Sequence, residues 1–310
     1  MQRSYAIIGT GALGGFYGAR LQHAGCELHF LLHRDYEHVR QHGLICESPD
    51  GDFTLPKVNA YSDVRDMPKC DVVCVCLKTT QNHLLPQLLP PLVKDDGVVL
   101  VMQNGLGMEA EVAEIVGAQR VVGGLCFLCS NKVAPGLIRH LGYTLVALGE
   151  FATRGVSERL HAIAGDFRRA NVETELAEDL DIARWQKLVW NIPYNGLSVV
   201  LDATTRELMA HPQSRRLVEA IMREVVTDAR ACGVALTDDI IGRMLSNTEK
   251  MEPYRTSMKI DYDERRPLEV EAIFGNPLRA VQRTGAASPL LEQLYAALTF
   301  LDARNIESPH

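Results

Sequence analysis

Residues 6–21 read AIIGTGALGGFYGARL, and the glycines in this run limit what the chain can fold into. Tyr5 to Ile8 is short, apolar and β-favouring, and a glycine closes it, so it reads as a buried strand. Ala12 to Ala24 contains no proline, and Leu13, Phe16, Tyr17, Ala19, Leu21 and Ala24 recur at helical spacing. Strand, glycine turn and helix form the context in which G-x-G-x-x-G holds a pyrophosphate. Gly9 permits the tight turn, Gly11 lets the phosphates approach the backbone, and Gly14 lets helix and strand pack closely. The phosphates then sit at the helix start, on the N–H groups of residues such as Ala12 and Leu13 and at the positive end of the dipole. The bland alternative, a glycine turn without a ligand, is opposed by the order of the elements.

The second strand is expected over 26–33, CELHFLLH, and is followed by Arg34. NAD-binding versions of this unit carry an acid here for the ribose 2′-hydroxyl, whereas a guanidinium can bind a 2′-phosphate bidentately. Arg34 therefore points to NADP, and the alternative is a solvated loop charge. Asp35 weighs against a phosphate, unless it caps a helix over Tyr36–Gln41. Further on, 71–77 and 97–102 read as buried parallel strands, with helices expected over 81–89 and 108–116. This alternation predicts a doubly wound, Rossmann-type α/β domain. Ligands bind beyond the carboxyl ends of such strands, which places Lys78 and Asn104 on the cofactor side. Between 121 and 149 short β-like runs suggest an antiparallel extension of the sheet.

A chain of 310 residues has room for a second domain. No apolar run approaches the ~18 residues of a membrane span, and the first residues lack the apolar core of an export signal. A net charge of −7 without a dense Lys/Arg block argues against nucleic acid. Eight cysteines include one C-x-x-C, Cys126 and Cys129, with no second pair at zinc spacing. Buried thiols in a reducing cytoplasm are the reading, with no metal site.

From about 178 the pattern turns helical, which sets the expected domains at 1–178 and 179–310, the second all-helical. Acids at 178, 179 and 181 open a long helix in which Lys187, Asn191 and Asn195 fall at i, i+4 and i+8. That polar stripe is ~12 Å long at 1.5 Å per residue, with Pro193 inside it as a source of a kink. The stripe is either the wet side of a surface helix or a site. Asparagine is a poor choice for a plain exposed helix face. Further helices are expected over 213–232, 238–250, 268–284 and 289–303.

GTGALGG, an Arg after the second strand, LKTTQ, QNGLG, KLVWNIPYNG and RTSMKIDYDERRPLEVEAIFG stand in this order along the chain. Together they resemble the ketopantoate reductases (2-dehydropantoate 2-reductases) over nearly the whole length. The resemblance implies NADPH-dependent reduction of a 2-keto acid, 2-dehydropantoate, to the 2-hydroxy acid pantoate in pantothenate biosynthesis. It implies Lys187 as general acid and Glu269 as the acid that contacts the nascent hydroxyl. Asn104, Asn191, Asn195 and Ser257 would bind substrate, while Gly9, Gly11, Ala12, Leu13, Gly14, Arg34, Lys78 and Asn104 would hold the cofactor. The implied partner is a small 2-keto acid, and a homodimer is compatible with the resemblance. Those roles fit the chemistry, since an alkoxide formed by hydride addition needs a proton and a nearby positive charge. On their own, Glu269 reads equally as a surface charge and Ser257 as a helix cap. The competing functions are reduction of another 2-keto acid or an imine, and an NADP(H)-sensing module without turnover.

Overall fold

A computed structural model describes residues 3–251 and 255–307, and the chain divides into two compact units. The first unit runs through Gln103 and resumes over Met108–Leu180; the second takes Asn104–Gly107 and the chain from Asp181.

The first unit opens with β1 (Ser4–Ile8), α1 (Ala12–His23), β2 (Glu27–Leu31) and α2 (Tyr36–His42). Strands β3 (Leu44–Glu47), β4 (Phe53–Leu55), β5 (Asn59–Tyr61) and β6 (Cys70–Val75) follow. Then come α3 (Leu85–Leu88), β7 (Val93–Val101), α4 (Met108–Val116) and β8 (Val121–Cys126). The unit ends with β9 (Cys129–Ala134), β10 (Leu137–Gly142), β11 (Val146–Glu150), α5 (Glu158–Arg169) and β12 (Thr174–Ala177). Eight strands form one sheet in the order β12-β11-β8-β7-β6-β1-β2-β5. All neighbours are parallel except β8 and β11. Every residue of β1 is buried, as a central strand covered on both faces requires, and this explains its unbroken apolar run. The strand order turns back on itself between β1 and β6, the crevice in which doubly wound sheets bind ligands.

Three expectations change here. The β-like runs after 121 do not all extend the main sheet: β11 does, but β9 and β10 join β3 and β4 in a second sheet, ordered β4-β3-β10-β9. Local alternation could not show this, because β3 and β10 lie far apart in the chain and pair in parallel. The helix expected over 81–89 is a 3₁₀ segment, Thr79–Leu84, followed by the single turn of α3. Pro86 accounts for the break, since inside a continuous helix it would remove a hydrogen bond and clash one turn back. Strand β2 is shorter than expected, so Arg34 lies in a turn three residues past its end.

The second unit is helical: α6 (Leu180–Val200), α7 (Thr205–Ala210), α8 (Pro212–Ala231), α9 (Asp239–Lys250) and α10 (Ser257–Asp263). A π-helical turn, Glu271–Gly275, then runs into α11 (Asn276–Arg283), and α12 (Pro289–Glu307) follows. Its core gathers Val189, Ile192 and Tyr194 of α6 with Val218, Met222 and Val225 of α8, Phe274, and Leu291 and Leu298 of α12. Burying each such side chain contributes ~1.5–3 kcal/mol, so α6 is held at the centre by packing rather than by helix propensity. Helix α7 starts with a capping box between Thr204 and Glu207. Among the described residues no helix is long and apolar enough to cross a membrane.

Candidate active-site residues in the two units

The glycine loop has the geometry its sequence demands. Gly9 has φ +93°, and a Cβ there would lie 2.5 Å from the Leu77 nitrogen, so only glycine fits. The turn therefore abuts the end of β6, just before Lys78. A Cβ on Gly14 would come within 2.4 Å of the Gly9 carbonyl oxygen and 2.9 Å of Ile7, so this glycine is needed for contact between α1 and β1. Gly11 differs: a Cβ there would meet nothing within 4 Å. The space beside it is open, as an approaching phosphate requires. The first N–H paired within the turn of α1 is that of Gly15, to the Gly11 carbonyl (2.9 Å). Gly11 has no side chain to cap the helix, so the N–H groups of Ala12, Leu13 and Gly14 face outward without a helical acceptor. A loop of this kind fits a dinucleotide pyrophosphate.

Two further segments reach this loop. The Thr10 hydroxyl donates to the Leu31 carbonyl (3.0 Å), tying the loop to the end of β2. Arg34 lies beyond that end, exposed and without an ion pair to any described residue. Lys78 is also exposed, at the start of the 3₁₀ segment after β6. Asp35 does not cap α2 with its side chain. It is buried and paired with the Lys132 ammonium, and it accepts from the Gly136 N–H (3.4 Å). Lys132 also donates to the Thr10 carbonyl (3.1 Å). Nothing local in the sequence points to Lys132, because NKVAPG, residues 131–136, reads as a break between β-like runs.

In the second unit the polar row of α6 is not a wet face. Lys187, Asn191 and Asn195 are 8%, 5% and 2% exposed. Residues flanking that row help set the rotation of the helix. Trp190 Nε1 donates to Thr248 Oγ1 on α9 (3.0 Å), and its ring lies against Tyr194 at 4.9 Å between centroids. Asn195 Oδ1 is buried and has no hydrogen-bond partner. An unsatisfied buried acceptor costs ~1–3 kcal/mol, so an atom of this kind marks a place for a donor the protein does not itself supply.

A hydroxyl chain joins Asn195 to α10. The Ser198 hydroxyl donates to the Asn195 carbonyl (3.1 Å) and shares a hydrogen bond with Thr256 Oγ1 (2.8 Å). Thr256 in turn accepts from the Lys259 N–H (3.2 Å). Thr256 rather than Ser257 is thus the cap of α10, and Ser257 is its first helical residue. The Ser257 hydroxyl is free of that duty, and it starts a helix tethered beside Asn195.

Glu269 is buried at 5% exposure, which removes its reading as a surface charge. It precedes the π-helical turn, and its carbonyl accepts from the Ile273 N–H (3.1 Å). The Asn104–Gly107 segment docks on the same turn. The Leu106 N–H donates to the Ala272 carbonyl (2.9 Å), and Asn276 Nδ2 donates to the Leu106 carbonyl (2.7 Å). Gly105, at φ +98°, would place a Cβ 2.3 Å from the Ala272 oxygen. Gly105 and Leu106, which follow Asn104, thus pack on Ala272 of the π turn that begins two residues after Glu269. π-Turns of this kind occur often at functional sites, and nothing in residue periodicity reveals them.

Cys76 packs beside the glycine loop, its Cβ 2.9 Å from where a Cβ on Gly14 would lie. All eight cysteines are free of disulfides, and burial pushes the Cys74 and Cys76 thiols well up from the ordinary range, away from reactive thiolate.

Sequence comparison settles the family. Residues 5–153 match Ketopantoate reductase PanE/ApbA, and residues 179–302 match Ketopantoate reductase PanE/ApbA C terminal. The chain belongs to the ketopantoate reductase family. It is 61% identical over 308 residues to a 2-dehydropantoate 2-reductase of Nostoc sp., covering 98% of this chain and 97% of that one. A crystal structure of the Geobacter metallireducens 2-dehydropantoate 2-reductase superposes with a TM-score of 0.93 at 44% identity, over 96% of this chain and 99% of that one. The corresponding Methylococcus capsulatus structure gives 0.90 at 35% identity, over 98% of each chain.

Proposed function

We propose that the protein is an NADPH-dependent 2-dehydropantoate 2-reductase, producing the 2-hydroxy acid pantoate in pantothenate biosynthesis. The observation that carries this reading is the 61% identity, over 98% of the chain, to the Nostoc 2-dehydropantoate 2-reductase. The open Gly11 turn and the outward N–H groups of Ala12, Leu13 and Gly14 support a pyrophosphate there, with Gly9 shaping the turn. Lys78 and Asn104 would contribute further cofactor contacts, and Arg34 would take the 2′-phosphate. Cofactor binding falls mainly to the chain up to about 178, and substrate chemistry to the helical part from 179 together with Asn104, which packs with that second unit. When bound, the reduced nicotinamide supplies the hydride that adds to the keto carbon.

The chain's own residues then manage charge and protons. Negative charge collects on the former keto oxygen, where the Lys187 ammonium stabilises it and delivers the proton. The neutral amine left on Lys187 regains its proton from solvent, so each turnover consumes one hydride and one proton. Asn191, Asn195, Asn104 and Ser257 orient the keto acid with neutral donors and acceptors, adding no charge that would compete with the lysine. The unsatisfied Asn195 Oδ1 supports a hydroxyl donor on the substrate. Glu269 accepts a hydrogen bond from a substrate hydroxyl and so holds that end of the molecule.

The test is NADPH oxidation by 2-dehydropantoate beside a panel of other 2-keto acids, with wild type and Lys187→Ala. 2-Dehydropantoate should give the highest kcat/KM. Lys187→Ala should lower kcat ~10²–10⁴-fold while NADPH affinity, read separately by fluorescence, is retained. NADPH bound but oxidised by none of the keto acids would overturn the enzyme reading. A folded Lys187→Ala variant with unchanged kcat would remove Lys187 as the acid.

A further inference from the structure

A carboxylate one residue after Arg34 is a poor neighbour for a 2′-phosphate, because it offsets the potential that the guanidinium provides. The structure restrains that carboxylate. Asp35 is 8% exposed, ion-paired with Lys132 of β9, and accepts from the Gly136 N–H in the turn between β9 and β10. The second bond of Lys132, to the Thr10 carbonyl (3.1 Å), lies inside the glycine loop. Ser130, two residues earlier on the same face of β9, donates to the Ala12 carbonyl (3.2 Å). One face of the second sheet thus grips both the phosphate loop and the segment that carries Arg34. With Lys132 in place, Arg34, Asp35 and Lys132 sum to a net positive charge. Without it they sum to zero, and a buried carboxylate is left unpaired.

We infer that Lys132 is a determinant of cofactor choice: by neutralising and immobilising Asp35 it lets the Arg34 segment accept a 2′-phosphate. This rests on the NADPH reading above. A lysine that merely braced the fold would support NADH and NADPH binding equally, whereas a charge acting at the 2′ position discriminates between them.

Binding to the intact protein tests this without reference to turnover. Adenosine 2′,5′-bisphosphate and adenosine 5′-monophosphate isolate the 2′-phosphate, and NADPH and NADH are titrated beside them. Lys132→Met should weaken the bisphosphate and NADPH about tenfold, and the monophosphate and NADH by no more than about twofold. Lys132→Arg should keep wild-type discrimination. Asp35→Asn/Lys132→Met, which leaves no stranded carboxylate, should recover most of the loss and serves if the single variant does not fold. Equal weakening of all four ligands, no weakening, or a double variant still about tenfold down on the bisphosphate alone would overturn the inference. Arg34→Ala separates it from the cofactor reading. If wild type prefers NADPH and Arg34→Ala erodes that preference while Lys132→Met does not, only the role of Lys132 falls. If wild type binds NADH and NADPH alike, the NADPH reading falls and this inference with it.

Discussion

Asn195 and Ser198 lie three residues apart on α6, both buried, and their hydrogen bonding separates their roles. The Ser198 hydroxyl is fully used, between the Asn195 carbonyl and Thr256. The Asn195 side-chain oxygen has no partner. Asn195→Ala should therefore cost the free protein under ~1 kcal/mol, while raising the KM for 2-dehydropantoate about tenfold through the lost substrate hydrogen bond. Ser198→Ala should do the reverse. It leaves Thr256 short of a partner, lowers stability by ~1–2 kcal/mol, and acts on KM only as far as α10 shifts. Urea unfolding with steady-state kinetics on both variants checks this, and an Asn195→Ala protein with unchanged KM would end its role at the substrate. The i, i+4, i+8 spacing of Lys187, Asn191 and Asn195 was legible in the sequence. Their burial was not, because it depends on which face of α6 the rest of the unit covers. Lys132 was not legible for a related reason: its two partners, Asp35 and Thr10, are distant in the chain and meet it only through the second sheet.

The strand–turn–helix at the start of the chain was readable because its constraints are local. Gly14 answers to atoms a few residues away and to the end of β6, Gly9 to the end of β6, and Gly11 to no atom of the chain within 4 Å. Gly14→Ala would drive a methyl against the Gly9 carbonyl and Ile7, an overpacking that should cost ~1–3 kcal/mol of stability. Gly11→Ala meets open space at φ −86°, so stability should change by less than ~1 kcal/mol. On the cofactor placement proposed above, the added methyl would occupy the path of the pyrophosphate, and NADPH affinity should fall by more than about tenfold. Thermal melts and NADPH titration separate the two, and a Gly11→Ala variant that binds NADPH normally would move the phosphates elsewhere. The second sheet and the π turn escaped the sequence for opposite reasons. The sheet pairs β3 with β10 across roughly ninety residues, and its alternation is identical to that of a sheet extension. The π turn is a local irregularity inside an apolar run with ordinary helical spacing, and only the docking of Leu106 on Ala272 shows what it positions.

The chain as a whole carries 39 acids against 32 lysines and arginines, and two of those acids, one in each unit, should shape its stability against pH in opposite ways. Burial works against the charge of Asp71 at the start of β6, but Lys94 and the N–H and hydroxyl of Ser4 outweigh it and hold the carboxyl down to about 2. Its folded-state affinity for a proton is lowered from 3.8, so its contribution is present above that value and lost as pH falls towards 2. Asp228 behaves oppositely. Burial on α8 pushes it up to about 6, with Ser288 pulling the other way and Glu224 adding to the push. Glu224 and Asp228 share the Ser288 hydroxyl (3.0 and 2.6 Å), and Glu224 also accepts from the Leu290 and Leu291 N–H groups at the start of α12. Between about pH 3.8 and 6 the folded protein therefore holds a proton on Asp228 that the unfolded chain has released. Stability from that proton is present below 3.8 and lost as pH rises through about 6. At 1.36 kcal/mol per pH unit the loss approaches about 3 kcal/mol. Asp228→Asn keeps a partner for Ser288 and removes the charge. It should be more stable than the parent by up to about 3 kcal/mol at about pH 8, with the gap closing to a few tenths near pH 4. Neither its kcat nor its KM should change, since Asp228 belongs to neither cluster proposed for the reaction. Urea midpoints across this range provide the measurement. A gap of the same size at both ends would mean that the substitution acts through packing, and that Asp228 carries no proton in the folded protein.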